Sequence, residues 1–182
     1  TELGFTTWLK LLANTADPTQ AVPETTNEKP AIVESSYESI LTDTQLEQWL
    51  KQLEAAEIFA FDTETTNIDY SKAQIVGVSF AVEAGKAAYL PLAHTYPGAP
   101  EQLDRTATLA ILKPLLENPR QPKLGQHPKY DAHVLANHGI TLRGITHDTM
   151  LESYVLNSTA TKHNMDDIAK TYLGVNTTHY ED

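Results

Sequence analysis

The spacing of apolar residues changes between strand-like and helix-like patterns from position 37 onward. Leu46, Trp49 and Leu53 recur at helical spacing and predict a helix that Asp43 caps. Helices are predicted at 43–53, 106–117, 129–138, 148–156 and 165–173. Strands are predicted at 37–41, 57–63, 74–82, 87–91, 122–125 and 142–146. Three antiparallel strands followed by alternating helices and strands predict an α/β fold with a mixed sheet.

The first 36 residues have a different pattern. Residues 1–13 place Phe5, Trp8 and Leu12 on one face of an amphipathic helix that is too short to be stable alone. Residues 14–36 contain three prolines among Thr, Asn, Glu and Ala, a composition typical of a disordered linker. A helix followed by such a linker indicates that the globular region, 37–182, is part of a larger multidomain protein.

Composition narrows the classes of function. A length of 182 residues with 41% hydrophobic content suits one domain plus an appendage. The chain has no cysteine, which excludes disulfides and thiolate zinc sites. Without a long apolar run or a signal-peptide pattern, we expect no membrane partner and a cytoplasmic location. The net charge of −11 disfavours a broad nucleic-acid surface, so any DNA contact should be local.

The run IFAFDTET at 58–65 is an apolar strand that ends in two acids. Because side chains of a strand alternate between faces, Asp62 and Glu64 should point the same way. Two adjacent carboxylates beside a buried strand repel each other, and a divalent cation would remove that repulsion. The alternative is a solvated strand end whose acids cap a turn.

A second acidic position follows the predicted strand at 122–125. The sequence LGQHPKYD at 124–131 predicts a turn that leads into a helix with Asp131 in its first turn. The helix dipole favours a carboxylate there, which is a purely structural explanation. The functional alternative is that Asp131 joins Asp62 and Glu64 at a metal site.

Three motifs together resemble a known family. FDTET at 61–65, GQHPKYD at 125–131 and HDTMLESY at 147–154 are similar to the proofreading 3′–5′ exonuclease domain of bacterial DNA polymerase I, a family A polymerase. The resemblance extends over 37–182, and residues 1–13 resemble the tail of the preceding 5′-nuclease domain. It implies a ribonuclease-H-like fold, an α/β arrangement with a mixed five-stranded sheet flanked by helices.

The resemblance also implies chemistry. Four acids of the family hold two Mg²⁺ or Mn²⁺ ions, and Asp62, Glu64 and Asp131 match three of them. The expected reaction is hydrolysis of the last phosphodiester of a single-stranded or frayed 3′ end of DNA, with release of 5′-mononucleotides. The expected partners are the polymerase and 5′-nuclease domains of the same parent chain, in the bacterial cytoplasm at the nucleoid.

Further positions match substrate-binding residues of the family. Ile68 matches an apolar wedge against the terminal bases, Lys162 a basic residue that faces single-stranded DNA, and Tyr180 an aromatic that stacks on a base. The alternatives are loop packing, a solvated lysine and a core aromatic. The full set carried over from the resemblance is Thr63, Thr65, Ile68, Gln126, His127, Lys129, Tyr130, Lys162 and Tyr180. Asp148 is interpreted as a helix cap and Glu152 as a surface or packing acid.

Two departures from the family are visible. Its third motif is a Tyr followed four residues later by Asp, and no Tyr from Tyr37 to Tyr172 has that Asp. We expect that motif beyond Asp182 and predict that the 182-residue chain is inactive or weak alone. The second departure is His127, where the family usually has Asn; His donates hydrogen bonds with another geometry and a pH-dependent charge.

Two other functions remain open. One is a degenerate exonuclease fold that acts as a structural or strand-holding module, which the presence of Asp62, Glu64 and Asp131 disfavours. The other is a ribonuclease-type exonuclease of the same superfamily. The N-terminal helix and linker favour the polymerase.

Overall fold

A mixed sheet of six strands organises residues 35–177, the part of the chain that this computed structural model describes. The strands are β1 (Ser36–Ser39), β2 (Phe59–Thr65), β3 (Ile75–Glu83), β4 (Lys86–Pro91), β5 (Lys123–Gly125) and β6 (Ile145–Asp148). The helices are α1 (Asp43–Ala55), α2 (Arg105–Leu116), α3 (Lys129–Asn137), α4 (Thr149–Leu156) and α5 (Met165–Ile168), followed by a π-helical segment, Ala169–Leu173.

The strand order is β1-β4-β3-β2-β5-β6. β2, β3 and β4 form an antiparallel meander, whereas β1, β5 and β6 pair in parallel with β4, β2 and β5. The α/β class and the mixed sheet are confirmed. The six strands agree with the number predicted from the residue pattern, whereas the five strands implied by the family resemblance are one too few.

One face of the sheet carries the hydrophobic core. Along β2 the buried residues are Phe59, Phe61 and Thr63, and their neighbours on β3 are Val78 and Phe80. Burial of this apolar surface is the main force that stabilises the sheet. Because β2 alternates strictly, its remaining side chains project from the opposite face, and these include the two acids.

The N-cap of helix α1 lies one residue earlier than predicted. Thr42, not Asp43, is the N-cap: its hydroxyl accepts from Gln45 N at 3.3 Å, and Gln45 Oε1 accepts from Thr42 N at 3.1 Å. The reciprocal pair satisfies two N–H groups that a helix start leaves open, which Asp43 would not do. The indole Nε1 of Trp49 donates to Glu38 on β1 at 2.9 Å and ties α1 to the sheet edge.

The end of the described region departs from a regular helix. The helix predicted at 165–173 is α-helical only to Ile168 and π-helical from Ala169 to Leu173, where Gly174 in the left-handed region ends it. Gly139 likewise follows α3 with a φ of 72°, as its predicted C-cap role requires. No helix within residues 35–177 has both the length and the apolar content needed to cross a lipid bilayer.

The predicted N-terminal helix at 1–13 and nearly all of the predicted linker at 14–36 lie outside the described residues. The division of the chain into these segments and an exonuclease region therefore stays a prediction.

Candidate functional site

Asp62 and Glu64 lie within β2 and project from the face opposite the core. The strand continues to Thr65, so the acids are inside it rather than at its end as expected. Asp62 is paired with Ser79 and Glu64 with Gly77 on β3. The prediction that both acids share one face agrees with this register.

Asp131 reaches the same strand from α3. Its side chain is buried, and Oδ1 accepts from Thr63 N at 3.0 Å and from Thr63 Oγ1 at 2.5 Å. β5 pairs with β2 only at Phe59 and Ala60, so the N–H of Thr63 has no strand partner on that side. The carboxylate supplies this partner, which fixes Asp131 one residue from each of the other acids along β2.

The three carboxylates are electrostatically coupled. Burial, followed by the charges of Asp131 and Glu64, raises the pKa of Asp62 to about 7. Burial also raises the pKa of Asp131, and the hydrogen bonds from Thr63 oppose that rise. Negative charge is thus concentrated where water cannot fully screen it, so the site favours a proton or a cation.

The chemical type of the available ligands fits a hard divalent cation. Carboxylate oxygens are the ligands that Mg²⁺ and Mn²⁺ prefer, and Asp62, Glu64 and Asp131 offer only such oxygens. As the side chains stand within residues 35–177, no three His, Cys, Asp or Glu groups converge closely enough to hold one ion. Asp131 uses Oδ1 to bind Thr63, and its Oδ2 remains for another partner.

The loop after β2 is tied to α3 by Tyr130. The Tyr130 hydroxyl lies 2.6 Å from Thr65 Oγ1 and donates to the carbonyl of Asn67 at 2.5 Å. Ile68 follows directly and is 94% exposed. The structure therefore brings together three predicted substrate-binding residues, Thr65, Ile68 and Tyr130.

The turn between β5 and α3 is held from the other side. Gln126 Oε1 accepts from Thr149 Oγ1 at 2.5 Å, and its Nε2 donates to the carbonyl of His163 at 2.8 Å. His127 has a φ of 54°, and its N–H donates to Asp148 Oδ1 at 3.2 Å. His and Asn both tolerate this left-handed region better than most residues, so His127 preserves the backbone that an Asn would adopt.

Asp148 is the N-cap of α4, as predicted. Its Oδ1 accepts from Met150 N at 3.0 Å and Leu151 N at 3.3 Å, in addition to the bond from His127. Glu152 contacts His147 at 2.6 Å on the surface, consistent with its interpretation as a surface acid.

The two lysines of the predicted substrate-binding set are exposed to solvent. Lys129 and Lys162 are exposed side chains on α3 and on the segment before α5. Tyr180 lies outside the described residues, so its stacking role stays a prediction.

Sequence interpretation missed a cluster on β4 and the loop after it. The Tyr89 hydroxyl lies 2.5 Å from His94 Nε2, and the rings of His94 and Tyr96 are 5.6 Å apart. Tyr89 pairs with Ser79 and so projects from the same sheet face as Asp62 and Glu64. A tyrosine within the apolar strand AAYLP is the signal that could have identified it, because a half-buried hydroxyl needs a partner.

Comparison with known proteins agrees with this geometry. Residues 37–181 match the family model described as 3′–5′ exonuclease. The DNA polymerase I of Pseudomonas aeruginosa is 55% identical over 183 aligned residues, which cover 100% of this chain and 20% of that protein. The chain therefore spans about a fifth of the length of this relative.

Solved structures share the fold. The polymerase domain of Pol1 from M. smegmatis, in complex with DNA primer-template and dNTP, has a TM-score of 0.62 and 25% identity, covering 77% of this chain and 23% of that one. Brucella melitensis NrnC with bound Mg²⁺ has a TM-score of 0.56 and 16% identity, covering 80% and 65%. The expected ribonuclease-H-like class is confirmed. The chain belongs to the 3′–5′ exonuclease family of family A DNA polymerases.

Proposed function

We propose that this chain is the metal-dependent proofreading unit of a DNA polymerase I. It hydrolyses the last phosphodiester of a single-stranded or frayed 3′ end and releases 5′-mononucleotides. The observation that carries the proposal is that the bond to Thr63 holds the buried Asp131 carboxylate near enough to Asp62 for its charge to help raise the pKa of Asp62. Membership of the exonuclease family supports the same reaction.

The three acids provide three of the four carboxylates that hold two divalent ions in the family. Asp62 and Glu64 offer oxygens from one strand face, and Asp131 offers Oδ2 while Thr63 fixes Oδ1. When bound, two Mg²⁺ or Mn²⁺ ions would lower the pKa of a water and stabilise the attacking and leaving oxygens of an in-line displacement at phosphorus. The Mg²⁺ bound to the structurally similar NrnC supports the choice of ion.

The surroundings of the acids suit a single strand with an unpaired end. Ile68 presents an exposed apolar side chain for the terminal bases, and Tyr130 fixes the loop that carries it. Gln126 lines the same cavity as Asp62, and the exposed ring of His127 offers a hydrogen-bond donor to sugar or phosphate. Lys129 and Lys162 supply local positive charge on a chain whose net charge is −11.

The chain acts, we propose, within a longer polymerase. The relative from Pseudomonas aeruginosa is a bacterial DNA polymerase I about five times as long as this chain, which supports polymerase and 5′-nuclease domains as partners and the bacterial cytoplasm as the location. Residues 1–13 and 14–36 would then be the tail of the 5′-nuclease domain and a linker. No Tyr from Tyr37 to Tyr172 begins the family's third motif, so we expect weak or no turnover from the 182-residue chain alone.

The first test is titration calorimetry with Mn²⁺ in the absence of DNA. The chain should bind Mn²⁺, Asp62→Ala should lose that binding, and Glu47→Ala should retain it because Glu47 is an exposed acid on α1. This control removes the same charge from a distant surface. An unmodified chain that does not bind Mn²⁺ would contradict the proposed metal site.

The second test measures stepwise shortening of a 5′-labelled single-stranded DNA in Mn²⁺, with an RNA of the same sequence in parallel. Slow release of mononucleotides from the DNA, abolished by Asp62→Ala in both the chain and the proposed parent polymerase, is the expected result. Preferential shortening of the RNA would favour the ribonuclease-type alternative. Mn²⁺ binding without shortening, even in the parent polymerase, would favour a strand-holding module.

A further inference from the structure

Tyr89 occupies a gap in the sheet directly beside Glu64. Glu64 is paired with Gly77 across the antiparallel strands. A Cβ built at position 77 would therefore lie about 5 Å from the Cβ of Glu64, on the same side of the sheet. The Tyr89 hydroxyl fills the space that a Cβ at position 77 would need. Glycine at 77 therefore lets the phenol lie on the side of the sheet that carries Glu64, where, among the described residues, the Tyr89 hydroxyl bonds only to His94.

His94 holds that hydroxyl from behind. Its Nε2 lies 2.5 Å from Tyr89 Oη. The backbone of His94 is clamped by Gln102, whose Oε1 accepts from His94 N at 2.8 Å and whose Nε2 donates to the His94 carbonyl at 2.8 Å. The His94 ring also packs between Tyr89 and Tyr96, with centroids 5.7 Å and 5.6 Å away. The imidazole of His94 is thus held in place and in contact with the Tyr89 hydroxyl.

The direction of the proton between His94 and Tyr89 follows from the neighbouring charge. If Tyr89 donated to Nε2, the lone pairs of its oxygen would face the Glu64 carboxylate, which is an acceptor only. If Nε2–H donates instead, the Tyr89 hydroxyl keeps its own proton for the carboxylate. The second arrangement gives every group a compatible role.

We propose that Tyr89 is a positioning residue for Glu64: His94 Nε2–H donates to Tyr89 Oη, and a rotation of the Glu64 side chain lets its carboxylate accept a hydrogen bond from the Tyr89 hydroxyl. This chain of donors fixes the orientation of the acid before a metal ion arrives. The consequence for metal binding rests on the proposed function, whereas the donor chain itself does not.

The electrostatics of Tyr89 agree with this placement. Burial, followed by the charge of Glu64, raises the pKa of Tyr89 to about 12. The charge of Glu64 thus acts on the Tyr89 hydroxyl, as the register of the two strands requires.

The decisive experiment is NMR of the metal-free 182-residue chain near pH 8, with ¹⁵N-labelled histidine and ¹³C-labelled glutamate. The ¹⁵N shifts of the His94 ring should show the proton on Nε2. The ¹³Cδ signal of Glu64 should move in Tyr89→Phe but not in Tyr37→Phe, a matched change on β1 that faces the same side of the sheet. A bare Nε2 in His94, or an unmoved Glu64 signal in a folded Tyr89→Phe chain, would overturn the proposal.

Mn²⁺ calorimetry then tests the positioning role. Tyr89→Phe should weaken Mn²⁺ binding about fivefold, the effect of one lost hydrogen bond. Gly77→Ala should weaken it similarly, since the added methyl displaces the hydroxyl without changing its chemistry. Unchanged Mn²⁺ affinity in both variants would refute the role. If the unmodified chain bound no Mn²⁺, the proposed function would fail while the NMR result still decided the donor chain.

Discussion

The two faces of β2 differ although they belong to the same seven residues. One face buries Phe59, Phe61 and Thr63 against the core, and the other presents Asp62 and Glu64 beside Gly77 and Ser79. The first face gains free energy from apolar burial, whereas the second concentrates charge at a cost in stability. The buried face holds the strand in place, and the other face can therefore keep two repelling acids in register.

Truncation of a side chain on the core face should destabilise the protein most. Phe80→Ala removes a buried ring of β3 that meets Phe59 edge-on at 6.4 Å, and should lower the free energy of unfolding by about 3–5 kcal/mol. Ser79→Ala, the adjacent residue on the acidic face, should change it by about 0.5 kcal/mol or less. Urea unfolding in the presence of a chelator measures both. Equal losses in the two variants would contradict the division between the faces.

The next effect concerns the acidic face and pH. In the metal-free protein the pKa of Asp62 is about 7, above its ordinary value of 3.8, so the folded state binds more protons between these values. The free energy of unfolding should therefore fall as pH rises from about 4 to about 7, by about 2 kcal/mol once solvent screening is allowed for. Asp62→Asn should remove this contribution and leave the protein more stable above pH 7.

Unfolding curves across that pH range, recorded with a chelator for both proteins, provide the measurement. Saturating Mn²⁺ should reverse the order of stability, because only the unmodified site gains from binding. Parallel pH profiles for the two proteins would show that the raised pKa of Asp62 does not contribute to the pH dependence of the free energy of unfolding.

A smaller effect should follow from the residue that links the two faces. Thr63 belongs to the core face, yet its hydroxyl and N–H hold Asp131. Thr63→Val keeps the shape but removes one donor from a buried carboxylate, which should lower the free energy of unfolding by about 1–2 kcal/mol. Thr63→Ser restores the donor and should recover most of that loss. Thermal unfolding of the three proteins compares them, and a Ser variant no better than Val would rule out the hydrogen bond as the cause.

The smallest effect on stability belongs to a residue of neither face. Ile68 is 94% exposed, so Ile68→Ala should change the free energy of unfolding by about 0.5 kcal/mol or less. The same substitution should nevertheless weaken the affinity for a fluorescent single-stranded DNA severalfold. Fluorescence anisotropy in the presence of Ca²⁺ measures that affinity. Ile111→Ala removes an exposed isoleucine from α2 and serves as the control that leaves DNA affinity unchanged. Equal DNA affinity for both variants would remove Ile68 from the substrate site.

Local patterns predicted the elements well, and long-range contacts escaped them. The apolar run before Asp62 predicted β2, and the alternation of its side chains predicted that Asp62 and Glu64 share a face. The bond between Thr63 and Asp131 joins residues 68 positions apart, and no local spacing encodes it. The resemblance to exonucleases supplied Asp131 as a site residue, but only the structure shows which of its oxygens is engaged.

The positions that sequence reasoning missed have a common physical cause. Tyr89 was interpreted only as part of an apolar strand, because its contacts with Gly77 and His94 depend on cross-strand register. Helix 165–173 was predicted as regular, since periodicity does not distinguish an α-helix from a short π-helical end. In both cases tertiary packing decides a feature that a window of sequence leaves undetermined.

The glycine at position 77 has a consequence for how this sequence can change over time. A side chain there collides with the phenol of Tyr89, and a smaller residue at 89 leaves a hole above Gly77. Neither position can be altered freely while the other keeps its present residue. Related chains should therefore exchange the two together, so that an alanine or serine at 77 is accompanied by a shorter side chain at 89.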